Sequence, residues 1–156
     1  MFKKGVSMTQ YVFIASPTKL PQGVYGSNPL SKEQPNVFNT ELDFTHLYFE
    51  NNYDSELKKK FSFSNHLTYE YQVAAYANQI PLKGSESGST FEKKCLNILY
   101  KYVEEAIYNS GYIELFTCWN GEENNRLSNH RKVKWENIKS PYDLVLNDLE
   151  IVEIIL

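Results

Sequence analysis

Cysteine and histidine are scarce in this chain, and their scarcity excludes several kinds of site. The 156 residues include two Cys and three His. Neither Cys95 nor Cys118 belongs to a C-x-x-C pair, and the histidines lie far apart in the sequence, so no metal-ligand spacing is present. We therefore predict no metal site, no cofactor and no disulfide, and we expect both thiols to be reduced, as they are in the cytoplasm.

Long apolar runs and an excess of positive charge are also missing. No segment approaches the roughly 20 apolar residues of a membrane-spanning helix, and the N-terminus lacks the apolar core of a signal peptide. The net charge of −3 argues against bulk attraction to nucleic acid or to an anionic membrane. The sequence predicts a cytoplasmic protein that does not bind membranes and is not expected to bind nucleic acid. Because Arg supplies only two of the 16 basic residues, the composition indicates an AT-rich, bacterial or phage coding sequence.

The motifs of common catalytic sites are absent as well. Gly23 and Gly26 follow a predicted strand, as the glycines of phosphate-binding loops do. The sequence contains neither G-x-x-x-x-G-K-[ST] nor G-x-G-x-x-G, however, which are the patterns of such loops. Cys118 has Glu122 and Glu123 as its nearest charged neighbours in the sequence, whereas an activated thiol needs positive ones. Packing in the core explains Cys118 better than nucleophilic catalysis does. We predict no catalytic residue.

Aromatic residues are abundant, with twelve Tyr and nine Phe. The hydrophobic content of 42% excludes a disordered chain. The length is that of one domain, and no internal repeat or linker divides it. We predict a loose tail over residues 1–9 and a single domain over residues 10–156.

One long helix is the clearest element of the sequence. Ser89 and Glu92 form a capping-box pattern, in which each side chain binds the backbone N–H of the other residue. Gly111 supplies the left-handed residue that ends a helix. The pattern predicts a helix over residues 90–109. Its apolar stripe recurs at steps of three and four residues and consists of Phe91, Cys95, Ile98, Leu99, Tyr102, Val103, Ala106 and Ile107.

Strand signals lie on both sides of this helix. Residues 67–77 fit a strand or a helix, and their β-branched and aromatic first half favours the strand. Residues 54–60 fit one helical turn, and a short strand begins at Phe61. We predict an α+β fold, with the helix packed on one face of a mainly antiparallel sheet of about six strands. The other predicted strands are residues 11–15, 44–50, 112–119 and 133–135, and the last of these is expected at a sheet edge. We also predict a final hairpin over residues 144–156, with positive φ angles in its turn, Asn147-Asp148.

Two loops are the best places for a binding site. Residues 17–40 contain four prolines, and structureless loops of this length are often functional. The second loop follows Trp119 at the end of a strand and carries two acidic residues. The candidate binding residues are Tyr25, Cys118, Trp119, Glu122 and Glu123. Glu114 and Glu70 also lie among apolar residues, but one-sided sheets make solvent exposure the expectation for both.

Two functions follow from these observations. The first is a non-enzymatic cytosolic protein-interaction module, such as an inhibitor, an immunity-type protein or a small homodimer, with its partner surface among the Tyr-rich strands. The second is a small-ligand-binding protein or enzyme with a pocket between the loop 17–40 and the loop after Trp119. The absence of catalytic motifs and the acidic charge favour the first.

Overall fold

The computed structural model describes residues 9–26, 45–53 and 63–156 of the chain. These residues form one α-helix and seven strands. Two short 3-10 helices, Trp135–Asn137 and Pro141–Leu144, lie between the last two strands. The elements, in chain order, are β1 (Gln10–Ser16), β2 (Gly23–Tyr25), β3 (Leu47–Asn51), β4 (Tyr71–Tyr76), α1 (Thr90–Ser110), β5 (Tyr112–Trp119), β6 (Asn129–Lys134) and β7 (Glu150–Ile155).

The strands form a single sheet in the order β2-β3-β4-β1-β5-β7-β6. Every neighbouring pair is antiparallel except β6 and β7, which are parallel. With α1 on one face of this sheet, the predicted α+β class is confirmed. The sheet of the described residues has seven strands instead of about six. β2, a three-residue strand in the proline-rich stretch, was not predicted because no periodicity marks it.

β1 lies at the centre of the sheet, between β4 and β5. Its continuous apolar run predicted a strand covered on both faces, and all seven of its residues are buried. Val12 and Ile14 pack with α1 in the larger core cluster. Tyr11 and Phe13 point to the opposite face and pack with Phe116 in a smaller cluster. β1 thus joins the two cores of the molecule.

The predicted caps of α1 are present at both ends. The Ser89 hydroxyl accepts a hydrogen bond from the Glu92 N–H at 3.2 Å. Gly111 has a φ of 82°, and its N–H donates to the Ile107 carbonyl at 2.8 Å. Most of the predicted stripe is buried, together with Leu96, which the stripe omitted; Phe91 and Ile98 remain partly exposed.

Half of the predicted capping box is different in the structure. The Glu92 carboxylate does not return to Ser89; it reaches further back and accepts from the N–H groups of Ser87 and Gly88 at 2.9 and 2.8 Å. It also accepts from the Ser87 hydroxyl and from the Tyr142 hydroxyl at 3.1 and 2.7 Å. Glu92 is buried, so these hydrogen bonds replace its lost hydration. They tie the loop before α1 and the second 3-10 helix to the helix N-terminus.

Residues 67–77 contain strand β4, and the helical alternative is wrong. The strand begins only at Tyr71, and residues 67–70 form a loop on the face of the sheet opposite α1. Glu114 of β5 holds this loop, because its Oε1 accepts from the N–H groups of Thr68 and Tyr69 at 2.7 and 3.2 Å. The expectation that Glu114 is exposed is therefore wrong, whereas Glu70 is exposed as expected.

The predicted C-terminal hairpin does not form. Residues 144–146 are buried without a strand partner, and the positive φ of 60° belongs to Leu149 rather than to Asn147 or Asp148. Trp135 opens a 3-10 helix and is buried instead of ending β6. β6 is an edge strand, as predicted. It forms six residue pairs with β7, and the Arg131 Nε adds a hydrogen bond to the Glu150 carboxylate at 3.0 Å.

Some predictions fall outside the described residues. These are residues 1–8 of the predicted tail, residues 27–40 of the proline-rich loop, the turn over residues 54–60 and the strand starting at Phe61. In the part of the chain that the structure describes, no helix combines the length and apolar character needed to cross a membrane.

Replacing Glu92 by Gln tests the hydrogen bonds at the start of α1. Glu92→Gln should lower the free energy of unfolding at pH 7 by about 2 kcal/mol, since hydrogen bonds to a charged group contribute more than neutral ones. Burial alone would raise the pKa of Glu92, but the effect of its four hydrogen bonds is larger. The net result is a pKa lowered from 4.5 to about 2. Because the folded pKa lies below the unfolded one, this stabilisation is present above the unfolded pKa and is lost as the pH falls from about 5 to about 2.

Urea unfolding of wild type and variant across this pH range gives the measurement. The difference between them should shrink toward pH 2. Glu105→Gln, on the exposed side of α1, is the matched control and should change stability by less than about 0.5 kcal/mol. A difference that stays constant with pH would show that Glu92 does not act through its charge.

Candidate functional site

Cys118 is part of the core. Its side chain is fully buried with Tyr11, Phe13 and Phe116 on the face of the sheet opposite α1. Burial raises the pKa of the thiol far above its usual value, and the carboxylate of Glu123 raises it further. A thiol in this environment stays protonated and is a poor nucleophile. The packing role predicted for Cys118 agrees with this position, and its place among the binding candidates has no support from the geometry.

Trp119 lines a cleft at the N-terminal end of α1. The ring is partly exposed and stands on the same side of the sheet as the helix. We call this space, with a volume of about 330 Å³, the Trp119 cleft. Its other walls are the first residue of β1, the loop from β4 to α1 and the first turn of the helix, and its lining residues are Gln10, Asn78, Gln79, Ile80, Pro81, Leu82, Ser85, Ser87, Ser89, Glu92 and Trp119.

Tyr25 lies in a different place. Its ring packs edge-on against Phe49 and Tyr102, with ring centroids 5.5 and 5.3 Å apart. It lines a larger groove of about 490 Å³ with residues of α1, among them Lys94 and Ile98. Strands β3, β4 and β1 separate β2, which carries Tyr25, from β5, which carries Trp119. The described residues therefore form two separate spaces, and the single pocket predicted between the two loops is not formed by them.

Glu122 and Glu123 belong to the turn after β5 and do not line the Trp119 cleft. Glu123 is buried and accepts a hydrogen bond from the Gly121 N–H at 3.3 Å, and its backbone carbonyl accepts from the Ser64 hydroxyl at 2.7 Å. Burial raises the pKa of Glu122, and the nearby carboxylates of Asp148 and Glu123 raise it further. Glu123 has a structural role in this turn. Among the described residues, no group of three or more His, Cys, Asp or Glu is arranged to hold a metal ion.

A second surface lies on the face of the sheet opposite α1. Because Leu47 and Phe49 point to the helix side, strand alternation sends Tyr48 to the other face. Tyr76 also lies on that face, where its ring stacks on the buried Tyr11 with centroids 5.1 Å apart. Tyr48 and Tyr76 are 50% and 57% exposed. Together with the exposed Val24, which pairs with Tyr48 across β2 and β3, they form a surface that we call the tyrosine face.

Strand alternation places these side chains on one face of neighbouring strands. β3 pairs with β4 through Asn51–Val73 and Glu50–Ala74, and Tyr48 and Tyr76 each lie two residues beyond the last of these pairs. β4 pairs with β1 through Tyr76 and Tyr11. Val24, Tyr48, Tyr76 and Tyr11 therefore lie on the same face of four neighbouring strands. The composition indicated a Tyr-rich surface, but the sequence did not show which tyrosines are exposed, because the faces of the predicted strand 44–50 were not distinguishable by alternation.

The residues that complete the Trp119 cleft were also missed. Gln10 lies at the end of an apolar strand, and Asn78 lies in a turn, so neither stands out in the sequence. Comparisons of the chain with known protein families, with curated proteins and with solved structures find no significant match. The function is therefore argued from the geometry of these surfaces.

The two thiols provide a direct test of the cysteine environments. Burial raises the pKa of Cys95 to about 11 and that of Cys118 higher still. We expect neither thiol to react with 5,5′-dithiobis(2-nitrobenzoate) at pH 8 in the native protein, and both to react in urea. Cys95→Ala and Cys118→Ala variants assign any residual reaction to one residue. Rapid labelling of native Cys118 would contradict a purely structural role.

Proposed function

We propose that this chain is a non-enzymatic cytosolic protein-interaction module whose partner docks on the tyrosine face. The observation that carries the proposal is the pair Tyr48 and Tyr76, two half-exposed rings on the same face of the neighbouring strands β3 and β4. Tyr is among the residues that contribute most binding energy at protein interfaces, because its ring is large, rigid and polar at one end.

The packing beneath Tyr76 lowers the entropic cost of binding a partner there. Tyr76 stacks on Tyr11, which is itself buried in the central strand and packed near Phe13 with centroids 5.9 Å apart. A ring held from below loses little conformational freedom when a partner covers it, so more of the contact energy remains as affinity. The other half of this sheet face is covered by the loop over residues 67–70, so the exposed rings form a bounded patch.

The charge around the patch favours a basic partner. Burial and the contact with Tyr76 raise the pKa of Tyr11, and the nearby carboxylates of Glu123 and Glu50 raise it further, so two acidic groups lie near the patch. The whole chain carries a net charge of −3. A Lys or Arg side chain is attracted both to these acidic groups and to the face of a Tyr ring. The proposed partner is therefore a protein surface rich in Arg and Lys.

Substitution of the two tyrosines tests this proposal. The tagged full-length chain is used to capture proteins from a lysate of its source, and the affinity for the captured partner is then measured with purified proteins. Tyr48→Ala and Tyr76→Ala should each weaken binding about tenfold, the loss expected for an interface anchor. Binding should also weaken as the salt concentration rises, because the partner is basic.

Tyr108→Ala and Tyr112→Ala are the matched controls, since these rings are 61% and 50% exposed away from the patch. Tyr108 lies on α1, and Tyr112 lies on the same sheet face as Tyr76 but six residues along β5 from Cys118, the residue that pairs with Tyr11. These two variants should leave binding unchanged. Equal losses in all four variants, or capture of no protein, would count against the tyrosine face. Light scattering separates a further outcome: a wild-type homodimer that Tyr48→Ala dissociates would identify a second copy of the chain, and not a basic partner, as the occupant.

A further inference from the structure

Gln10 presents an unused hydrogen-bond acceptor in the Trp119 cleft. The Thr117 hydroxyl donates to the Tyr11 carbonyl at 2.7 Å, so its oxygen is left to accept from the Gln10 Nε2 at 2.8 Å. These two hydrogen bonds determine which atom of the Gln10 side-chain amide is the nitrogen (Nε2) and which is the oxygen (Oε1). Gln10 is only 5% exposed, yet its Oε1 has no hydrogen-bond partner among the described residues. The Oε1 itself is not fully buried and belongs to a side chain that lines the cleft, so it can accept a hydrogen bond from a ligand group or from water.

Asn78 and Trp119 add donors beside this acceptor. The Asn78 Oδ1 accepts from the Gln10 N–H at 2.9 Å, which leaves the Nδ2 as a free donor. The Trp119 Nε1 has no hydrogen-bond partner within the described ranges either, and its partly exposed ring provides an apolar surface. Donors and an acceptor therefore lie around one aromatic ring, as in many small-ligand sites.

Charge limits what the cleft can bind. Glu92 is the single charged side chain among the described residues that line it. Its four hydrogen bonds keep it ionised, and it already compensates the positive end of the α1 dipole, so an anion gains little there. Both carboxylate oxygens are occupied by protein donors, so a cation also lacks a free ion-pair partner. The cleft is therefore suited to an uncharged polar ligand.

We propose that the Trp119 cleft binds a neutral, hydroxyl-rich ring of the size of one sugar. A hydroxyl group both donates and accepts, so adjacent hydroxyls match the Gln10 Oε1 and the Asn78 Nδ2 together. The C–H face of a sugar ring packs on an aromatic ring such as that of Trp119. A volume of about 330 Å³ is at the low end for ligand sites, which favours a single ring. This site lies on the helix side of the sheet and does not depend on the tyrosine face.

Nitrogen-15 NMR of the full chain tests the proposal, because its two Trp give two indole signals. The probes are D-glucose, D-galactose, D-mannose and N-acetyl-D-glucosamine, with glucose 6-phosphate and glucosamine as charged counterparts. At least one neutral sugar should shift the Trp119 signal in a saturable way with a millimolar dissociation constant, as expected for about one ring in an open cleft. The signal of Trp135, which is buried beside Tyr100, should not move.

A matched pair of variants ties the binding to the cleft. Asn78→Asp keeps the oxygen that accepts from Gln10 but removes the free donor, and it should weaken binding about fivefold. Asn124→Asp makes the same chemical change at another exposed Asn, whose Oδ1 accepts from the Asn65 N–H at 2.8 Å, and should have no effect. The proposal is overturned if no neutral sugar shifts the Trp119 signal, if a charged counterpart binds more tightly, or if the two variants behave alike.

Discussion

The buried carboxylate of Glu92 is the interaction on which the helix side of the molecule depends. It collects hydrogen bonds from Ser87, from Gly88 and from the Tyr142 hydroxyl, which lies 50 residues away in the chain. A carboxylate buried with fewer donors would become protonated or would destabilise the fold. Because the donors are in place, one charge holds the loop before α1, the first turn of the helix and the second 3-10 helix together. The same loop forms a wall of the Trp119 cleft, so the shape of the cleft depends on a residue that is saturated by protein donors.

The two faces of the sheet have different architectures, and their surfaces differ accordingly. On the helix side, α1 covers the centre of the sheet and leaves a polar cleft where its N-terminus meets the ends of β1 and β5. On the opposite side no helix of the described residues covers the sheet; the loop over residues 67–70, held by Glu114, covers only part of it. The rest of this face shows Tyr48 and Tyr76 to the solvent. The proposed partner surface and the proposed ligand site therefore lie on opposite sides of one sheet, and β1 contributes residues beneath both.

The sequence predicted those features whose causes lie within a few residues. Local periodicity and local hydrogen bonds determine the helix with its Ser89 and Gly111 caps, the central strand β1 and the strand that ends at Trp119.

The features that were not predicted depend on contacts between distant segments. Glu114 is buried because it binds Thr68, 46 residues earlier, and periodicity alone placed it on an exposed face. The prediction of a final hairpin was wrong because residues 144–146 pack into the core beneath the helix instead of pairing with β7. Trp119 was identified from its position at a strand end, but Gln10 and Asn78 meet it only through the pairing of β1 with β4 and β5.

The central position of β1 also determines how the chain can fold. Its pairing with β5 brings together residues far apart in the sequence, as the Gln10–Thr117 hydrogen bond across 107 residues shows. Such non-local pairing requires a large loop to close before its contacts are gained, and chains of this kind fold slowly compared with those rich in local contacts. The β4 and β5 strands are adjacent to β1 but not to each other. In any folding species in which β1 is not yet inserted, β4 and β5 each present an open edge that can pair with a strand of another chain.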